Sequence, residues 1–372
     1  MQQTVESNKT LLVDGPASVR LVSGKAEVFS YKIKESSRIV VREGKRLPLF
    51  VLEKAVFDVS LGVNASIEET AGSTIPESWN KPFEAVLGVQ KKPVVVLVVG
   101  EIDSGKSSFC TYIVNKLVSG KCRVAVLDGD LGQSDIGPSG TVGYALTSKP
   151  VTDLYNLKLE NAFFVGVTSP ISAIAKTIEG LAAMKAEILE RPVDFVVVNT
   201  DGWVTGEDAV RHKMLLNREL KPDLIVGVQV EDELAPLIAN LEKTPIIVID
   251  PSSSLNQRSA EKRKSLREMS YARYLKDAKL QCYPMSQLAV EQKTAIPKNQ
   301  EAEKGLLVGL YGSGSKFLGI GVLREINLVR KALKVQTAVS AKPSRLVIGK
   351  VLLDKKLQEI RLNFEEIADF VS

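Results

Sequence analysis

Residues 100–107, Gly-Glu-Ile-Asp-Ser-Gly-Lys-Ser, carry the most specific chemistry in the chain. They match G-x-x-x-x-G-K-[ST] at every fixed position, after an apolar run and before a helical pattern. That setting separates a phosphate loop from a glycine-rich turn. The glycines let the backbone curl so that its N–H groups converge on an anion, and the start of the following helix adds partial positive charge. The Lys106 ammonium can reach β- and γ-phosphate oxygens, and the Ser107 hydroxyl can ligate Mg²⁺. We therefore expect ATP with Mg²⁺, held by Gly100, Glu101, Ile102, Asp103, Ser104, Gly105, Lys106, Ser107 and Ser108. Ile102 fills a variable x position of the motif.

Two carboxylates follow in Asp128-Gly129-Asp130-Leu131-Gly132-Gln133-Ser134. They end an apolar run, and parallel-sheet sites open at strand C-termini, so both should emerge near the loop. Phosphoryl transfer needs one acid in the Mg²⁺ shell and another to take a proton from an attacking hydroxyl. The competing reading is an acidic turn. Gln133 could orient a water or a polar ligand, or be a solvated loop residue. Asp201, in Asn199-Thr200-Asp201-Gly202-Trp203, ends another apolar run and is either a rival Mg²⁺-shell acid or a turn residue. Trp203 is either a stacking platform for a base or a core residue.

A third feature is basic. Arg258, Lys262, Arg263, Lys264, Arg267, Arg273 and Lys276 all fall in residues 257–276. Arginines closing over a γ-phosphate would offset the charge that spreads in transfer. The plain alternative is a solvated helix with Leu266, Met269 and Tyr274 inward. Arg263 and Arg267 share a helical face; Arg258 and Arg263 do not, unless a cap or bend lies between them.

The elements that must position these groups alternate. Residues 94–99 (VVVLVV) read as a parallel strand buried on both faces. A helix over 107–117 follows, with Phe109, Tyr112, Ile113 and Leu117 at helical spacing. Strands are expected at 123–127, 162–167, 194–198, 224–229 and 245–249, with a helix over 172–190. The fold class is α/β: a central P-loop doubly wound parallel-sheet domain flanked by small mainly-β N- and C-terminal domains. Residues 1–90 read as a β-sandwich-like domain, with strands at 18–23, 26–34 and 38–42 and a polar loop or edge over 68–82. Residues 91–285 are the kinase-like core, with a basic lid near 255–276. Residues 286–372 are a mainly-β domain, with strands at 305–310, 317–323, 332–339 and 345–353.

Composition fits this plan. The 372 residues are 44 % hydrophobic and 25 % charged, with a formal net charge of +5, which permits a polyanionic partner without demanding one. Three cysteines, none in a CxxC pair, and a single histidine leave no zinc cluster and no disulfide framework. With no signal-peptide core and no apolar run near a membrane span, a cytoplasmic protein without membrane association is expected.

Taken together, the fragments GEIDSGKSS, DGDLGQSDIGPSG, Thr168-Ser169-Pro170, NTDGWVTG and Arg258-Ser259-x-x-x-Arg263 resemble one family of polynucleotide 5′-hydroxyl kinases. It is the family of the archaeal RNA kinases and of the kinase subunit of the eukaryotic messenger-RNA cleavage complex. SGKAEVFSYKIKESSRIVVREGKRLP and GLYGSGSKFLGIG resemble its N- and C-terminal modules. The resemblance implies that Lys106 and Ser107 bind ATP phosphates and Mg²⁺, that Asp128 helps hold the metal shell, and that Asp130 is the general base. It implies that Thr168, Ser169 and Pro170 form a clasp on the acceptor strand, with Gln133 on the same substrate. Trp203 would lie against the terminal nucleotide, and Arg258 and Arg263 would close on the transferred group. The implied partners are nucleic-acid 5′-hydroxyl ends, RNA in preference to DNA, and RNA-processing proteins. The second class is a non-catalytic ATP-bound scaffold of an RNA-processing complex, and the third a regulatory GTPase. No N-K-x-D motif follows residues 224–229 or 245–249, so ATP is expected over GTP.

Overall fold

The computed structural model describes residues 1–241, 243–291, 305–327 and 329–360. Residues 292–304, 328 and 361–372, which belong to the expected C-terminal domain, lie outside the described residues. The chain divides into two compact units. The first comprises residues 1–128, 144–158 and 185–262; the second comprises 129–143, 159–184 and 263 onward.

The first unit opens with a seven-stranded antiparallel sheet. Its centre is a strand absent from the expected set, Arg46–Leu61, which pairs with Gln2–Val5, Lys9–Asp14 and Ala17–Val28. Pro48 reads locally as a turn signal. The alternating burial of Leu47, Leu49 and Val51 and, beyond the exposed Glu53, of Ala55, Phe57 and Val59 overrides it, because that face of the strand covers a core. The expected strand over 26–34 is interrupted. Phe29 and Ser30 take positive φ values of 46° and 61° and turn Ala17–Val28 back into Tyr31–Lys32. The expected loop or edge over 68–82 opens in an edge strand, Ser66–Ala71, and runs into a helix, Asn80–Leu87, that the sequence pattern did not indicate. Between them Trp79 is fully buried, edge-on to Phe109 and to Tyr112 at 5.4 Å each, and its indole N–H donates to the Asp250 carbonyl.

Five parallel strands follow in the spatial order Val124–Asp128, Phe195–Asn199, Val94–Gly100, Leu224–Val228, Ile246–Ile249. The first four are buried at every residue, as their unbroken apolar runs require. The strand that ends in Asp128 is thus not beside the phosphate-loop strand; Phe195–Asn199 lies between them. Helix Lys106–Ser119 follows the loop and is buried nearly all round, not on one face. Asn115, on its far side, is fully satisfied, donating to the carbonyls of Phe29 and Val151 and accepting from the Val151 N–H. Helices Glu207–Leu220 and Ala235–Asn240 complete the crossovers that parallel pairing demands.

The second unit holds another seven-stranded sheet, ordered Lys279–Pro284, Ala332–Thr337, Phe317–Asn327, Leu306–Tyr311, Arg345–Leu353, Ala289–Glu291, with Glu359–Ile360 on Arg345–Leu353. It is antiparallel except where Ala289–Glu291 runs parallel to Arg345–Leu353. Gly166, at φ 83°, touches Gly349 so closely that a Cβ would lie 2.6 Å from the Gly349 Cα, so a side chain is excluded there. The Gly166 carbonyl accepts from the Lys350 N–H. This contact fixes the loop that leads to Thr168. No helix among the described residues is long and apolar enough to cross a membrane, and the cysteines Cys110, Cys122 and Cys282 are free thiols.

One buried ion group ties the first unit together. Asp153 accepts from Arg42 Nε at 2.8 Å and lies 3.7 Å from the Lys45 ammonium. Burial pushes its carboxyl up, but the charges of Lys45 and Arg42 outweigh burial and hold it well below the usual carboxylate range. A carboxyl depressed in the folded state adds stability that is full above its unfolded pKa and is lost as pH falls through the folded value. Asp153→Asn should cost about 3 kcal/mol at pH 7, since the buried Lys45 and the half-buried Arg42 lose their counter-charge. Urea unfolding at pH 7 and pH 3 should show the variant losing less stability than the parent as pH drops; equal losses would remove Asp153 from the acid sensitivity.

Candidate active site

The phosphate loop is built by close packing. At Gly100 a Cβ would lie 2.4 Å from the Val228 carbonyl oxygen, so the strand can end there only in glycine. Asp103 at φ 59° and Gly105 at φ 101° turn the chain into helix Lys106–Ser119. Lys106 is folded over its own loop, its ammonium donating to the Glu101 carbonyl at 2.6 Å. The Ser104 hydroxyl is buried without a hydrogen-bond partner. An inward-turned cation and a buried hydroxyl in want of a partner fit an anion seated in the loop. Ser107 and Ser108 begin the helix, and Ile102 is 52 % exposed at the loop's tip.

Asn199, which no motif singles out, joins the loop to the acid. Its register places it opposite Val98 on one side and Asp128 on the other. Its Nδ2 donates to Asp128 Oδ1 at 3.0 Å and to Ser107 Oγ at 3.4 Å, while its Oδ1 accepts from the Cys110 thiol at 3.9 Å. The two oxygens that could ligate Mg²⁺ are therefore held to one amide. The signal was the strand order, which no local pattern reports.

Asp201 is surrounded by protein partners. Both oxygens are engaged: Oδ1 by the Trp203 N–H at 3.0 Å and the Lys213 ammonium at 2.9 Å, and Oδ2 by His212 Nε2 at 3.0 Å. Lys213 is itself 1 % exposed. Burial pushes the Asp201 carboxyl up, but Lys213 and His212 outweigh it and hold it well below the usual range. A carboxylate with this many internal partners is an anchor for the loop that carries Trp203. Trp203 itself is half-buried and stacks on the His212 ring, with centroids 5.7 Å apart and planes at 24°. The fully buried tryptophan is Trp79.

The basic segment starts before its helix. Arg258 lies in the coil; its N–H donates to Asp103 Oδ2 at 3.0 Å and its guanidinium Nε is 3.3 Å from Asp103 Oδ1. Ser259 Oγ caps helix Ala260–Tyr274 by accepting from the Lys262 N–H at 3.2 Å. A cap thus separates Arg258 from Arg263, so the two need not share a helical face. The inward side is Tyr271 and Leu275, not Met269, which is exposed. Positions 267, 271 and 275 share one stripe, and Arg267 and Tyr271 both donate to Glu359.

The second unit gathers the remaining candidates. Asp130 Oδ1 accepts from the N–H groups of Gly132 and Gln133 at 3.1 and 2.9 Å, an Asx-type turn that fixes the carboxylate. A Cβ on Gly132 would lie 2.9 Å from the Thr168 carbonyl, so the Asp130 and Thr168 loops touch. Gln133 Nε2 donates to the carbonyls of Gly132 and Arg263, at 3.0 and 3.2 Å. Ser169 Oγ accepts from the Ile171 N–H and caps a short turn, Pro170–Ser172, in which Pro170 is buried. Asp130, Gln133, Thr168 and Arg263 are therefore brought together in this unit. Lys106, Ser107, Asp128 and Arg258 are brought together in the first.

Comparison with known proteins places the chain among P-loop proteins. Residues 100–277 match the family model described as the mRNA cleavage and polyadenylation factor CLP1 P-loop. A polyribonucleotide 5′-hydroxyl-kinase of Thermococcus kodakarensis is 32 % identical over 242 residues, covering 64 % of this chain and 68 % of the relative. Another protein of that name from Methanocaldococcus jannaschii is 24 % identical over 338 residues, covering 75 % of this chain and 93 % of the relative. A third, from Pyrococcus furiosus, is 28 % identical, and the match spans 66 % of its length. Among solved structures, Clp1p in a Clp1p–Pcf11p complex shares the fold at a TM-score of 0.75 and 12 % identity, covering 95 % of this chain and 97 % of that one.

The anchoring of Asp201 gives a prediction. Asp201→Asn should lower unfolding stability by about 3 kcal/mol, because Lys213 is left buried without a counter-charge. Nucleotide affinity of the folded fraction, measured by calorimetric titration, should change less than about threefold. A large loss of Mg²⁺-dependent ATP binding with unchanged stability would instead make Asp201 a metal-shell acid.

Proposed function

The chain belongs to the family of the CLP1 P-loop proteins and the polyribonucleotide 5′-hydroxyl kinases, and from that membership and its own site we infer that it transfers the γ-phosphate of ATP to the 5′-hydroxyl end of RNA. The observation that carries the reading is the chain Ser107–Asn199–Asp128 at the mouth of a complete phosphate loop. It holds a hydroxyl and a carboxylate side by side where a nucleotide's phosphates end.

The donor is bound by the loop amides of residues 100–108. Lys106 leaves the Glu101 carbonyl for a γ-phosphate oxygen, exchanging one acceptor for a charged one, and so binds more strongly as negative charge spreads. Ser107 Oγ and Asp128 would hold Mg²⁺, which would supply positive charge to offset that of the phosphates. Asp130 takes the proton of the acceptor hydroxyl. The Asx-type turn leaves its Oδ2 outside those two backbone bonds and limits its rotation. The hydroxyl oxygen then attacks the γ-phosphorus in line, forming the new P–O bond as the bond to the β-phosphate bridging oxygen breaks. Arg258 and Arg263 bind the transferred group, Arg258 by leaving Asp103. Thr168, Ser169 and Pro170 grip the acceptor strand, and Trp203 stacks on its terminal base.

RNA is the preferred acceptor over DNA in this reading, and protein partners of the RNA-processing kind follow from the same family. Purified protein with γ-labelled ATP and Mg²⁺ should label a 5′-hydroxyl RNA oligomer faster than the matched DNA. If it binds ATP and labels neither, the kinase reading fails. Lys106→Ala and Asp130→Asn should each slow labelling by about a hundredfold or more. An Asp130→Asn enzyme with unchanged kcat would remove the base assignment alone.

A further inference from the structure

Three observations in the first unit converge on Trp203. Gly202, the residue before it, is pressed on the phosphate loop. A Cβ there would lie 2.6 Å from both Cγ1 and the backbone nitrogen of Ile102, so nothing larger than glycine fits. The Trp203 N–H is held by Asp201 Oδ1 at 3.0 Å. The Trp203 indole lies on the ring of His212, which is fully buried on helix Glu207–Leu220. Asp201, kept ionised, can only accept a hydrogen bond, so His212 Nε2–H is the donor to Oδ2. That bond fixes the plane of the imidazole and hence the plane of the indole stacked on it. His212 Nδ1 is buried without a partner, so the ring's remaining role is contact.

We propose that His212 is a positioning residue for the acceptor. Oriented by Asp201, it serves as the inner layer of a two-ring stack whose outer layer, Trp203, takes the base of the 5′-terminal nucleotide. The inference rests on the kinase reading above. It adds that base recognition at the acceptor end is by face, not by edge, since the stack on His212 presents the flat indole to the base. All four bases should therefore be accepted at the 5′ terminus within a few-fold. It also adds that the platform is seated on the phosphate loop through the Gly202–Ile102 contact, so its distance from the donor site is set by backbone.

The test uses the full chain and 5′-hydroxyl RNA oligomers differing only in the first base. In His212→Ala the KM for the acceptor should rise roughly three- to tenfold, the scale of one aromatic pair, with the KM for ATP within twofold. His212→Phe keeps a flat ring and should restore most of the loss. His212→Gln keeps a donor without the stack and should not. The Trp203 emission, taken as the difference between the parent and Trp203→Phe, should change on adding RNA without ATP, and that change should weaken in His212→Ala. Should the alanine variant not fold, His212→Phe and His212→Gln give the same comparison. An acceptor KM unmoved in both His212→Ala and His212→Gln, or an ATP KM raised as much as the acceptor KM, overturns the proposal. Trp203→Ala separates the two levels. If it raises the acceptor KM while the His212 variants do not, only this inference fails. If it leaves the acceptor KM unchanged, the assignment of Trp203 to the acceptor fails first.

Discussion

An anion-binding loop has to keep its amides pointing into an open space, and nothing inside the loop can hold them there. The surroundings must do it. Here Gly100 is wedged on the Val228 carbonyl, Gly202 on Ile102, and Asp103 is held by the backbone N–H of Arg258. Each contact comes from a different segment, and each is with backbone or with a short side chain that cannot give way. The parallel strands behind the loop are buried throughout, so the frame they form is stiff. Preorganisation of this kind lets the loop bind phosphate without first ordering itself.

Carboxylates of the same type are set apart by what surrounds them. Asp153 and Asp201 are buried among cations and held well below the usual range, and their oxygens are spoken for by protein groups. They serve the fold. Asp128 shares the Asn199 amide with Ser107, which suits a group that completes a metal shell. Asp130 is held through Oδ1 by two backbone N–H groups, which suits a group that must keep one direction while it takes a proton. The division follows from partners, not from residue type.

The arginine segment shows how one short stretch can do two jobs. The coil before Ser259 puts Arg258 on Asp103, and the helix after it is fixed by Tyr271, Leu275 and the Arg267–Glu359 pair. The cap between them is a single hydroxyl. It frees Arg258 from helical phase, which is why the spacing of Arg258 and Arg263 does not have to match a helix turn.

The sequence by itself determined the phosphate loop, the α/β class and the family, because each is written locally. The loop needs glycines and a Lys-Ser pair at set spacing, and buried parallel strands need unbroken apolar runs. The ordered fragments from GEIDSGKSS to NTDGWVTG are equally local. Only the tertiary structure decided what stands beside what. Strand Arg46–Leu61 was hidden by the turn signal of Pro48, since pairing on both sides outweighs local preference. The place of Asn199 between Asp128 and Ser107 depends on strand order, which no run of residues records. The partners of Asp201, Lys213 and His212, stand on a helix absent from the local pattern, so its ion pairs are not written there either. Partners distant in sequence set the charge and direction of a side chain, and that is information a spacing pattern does not contain.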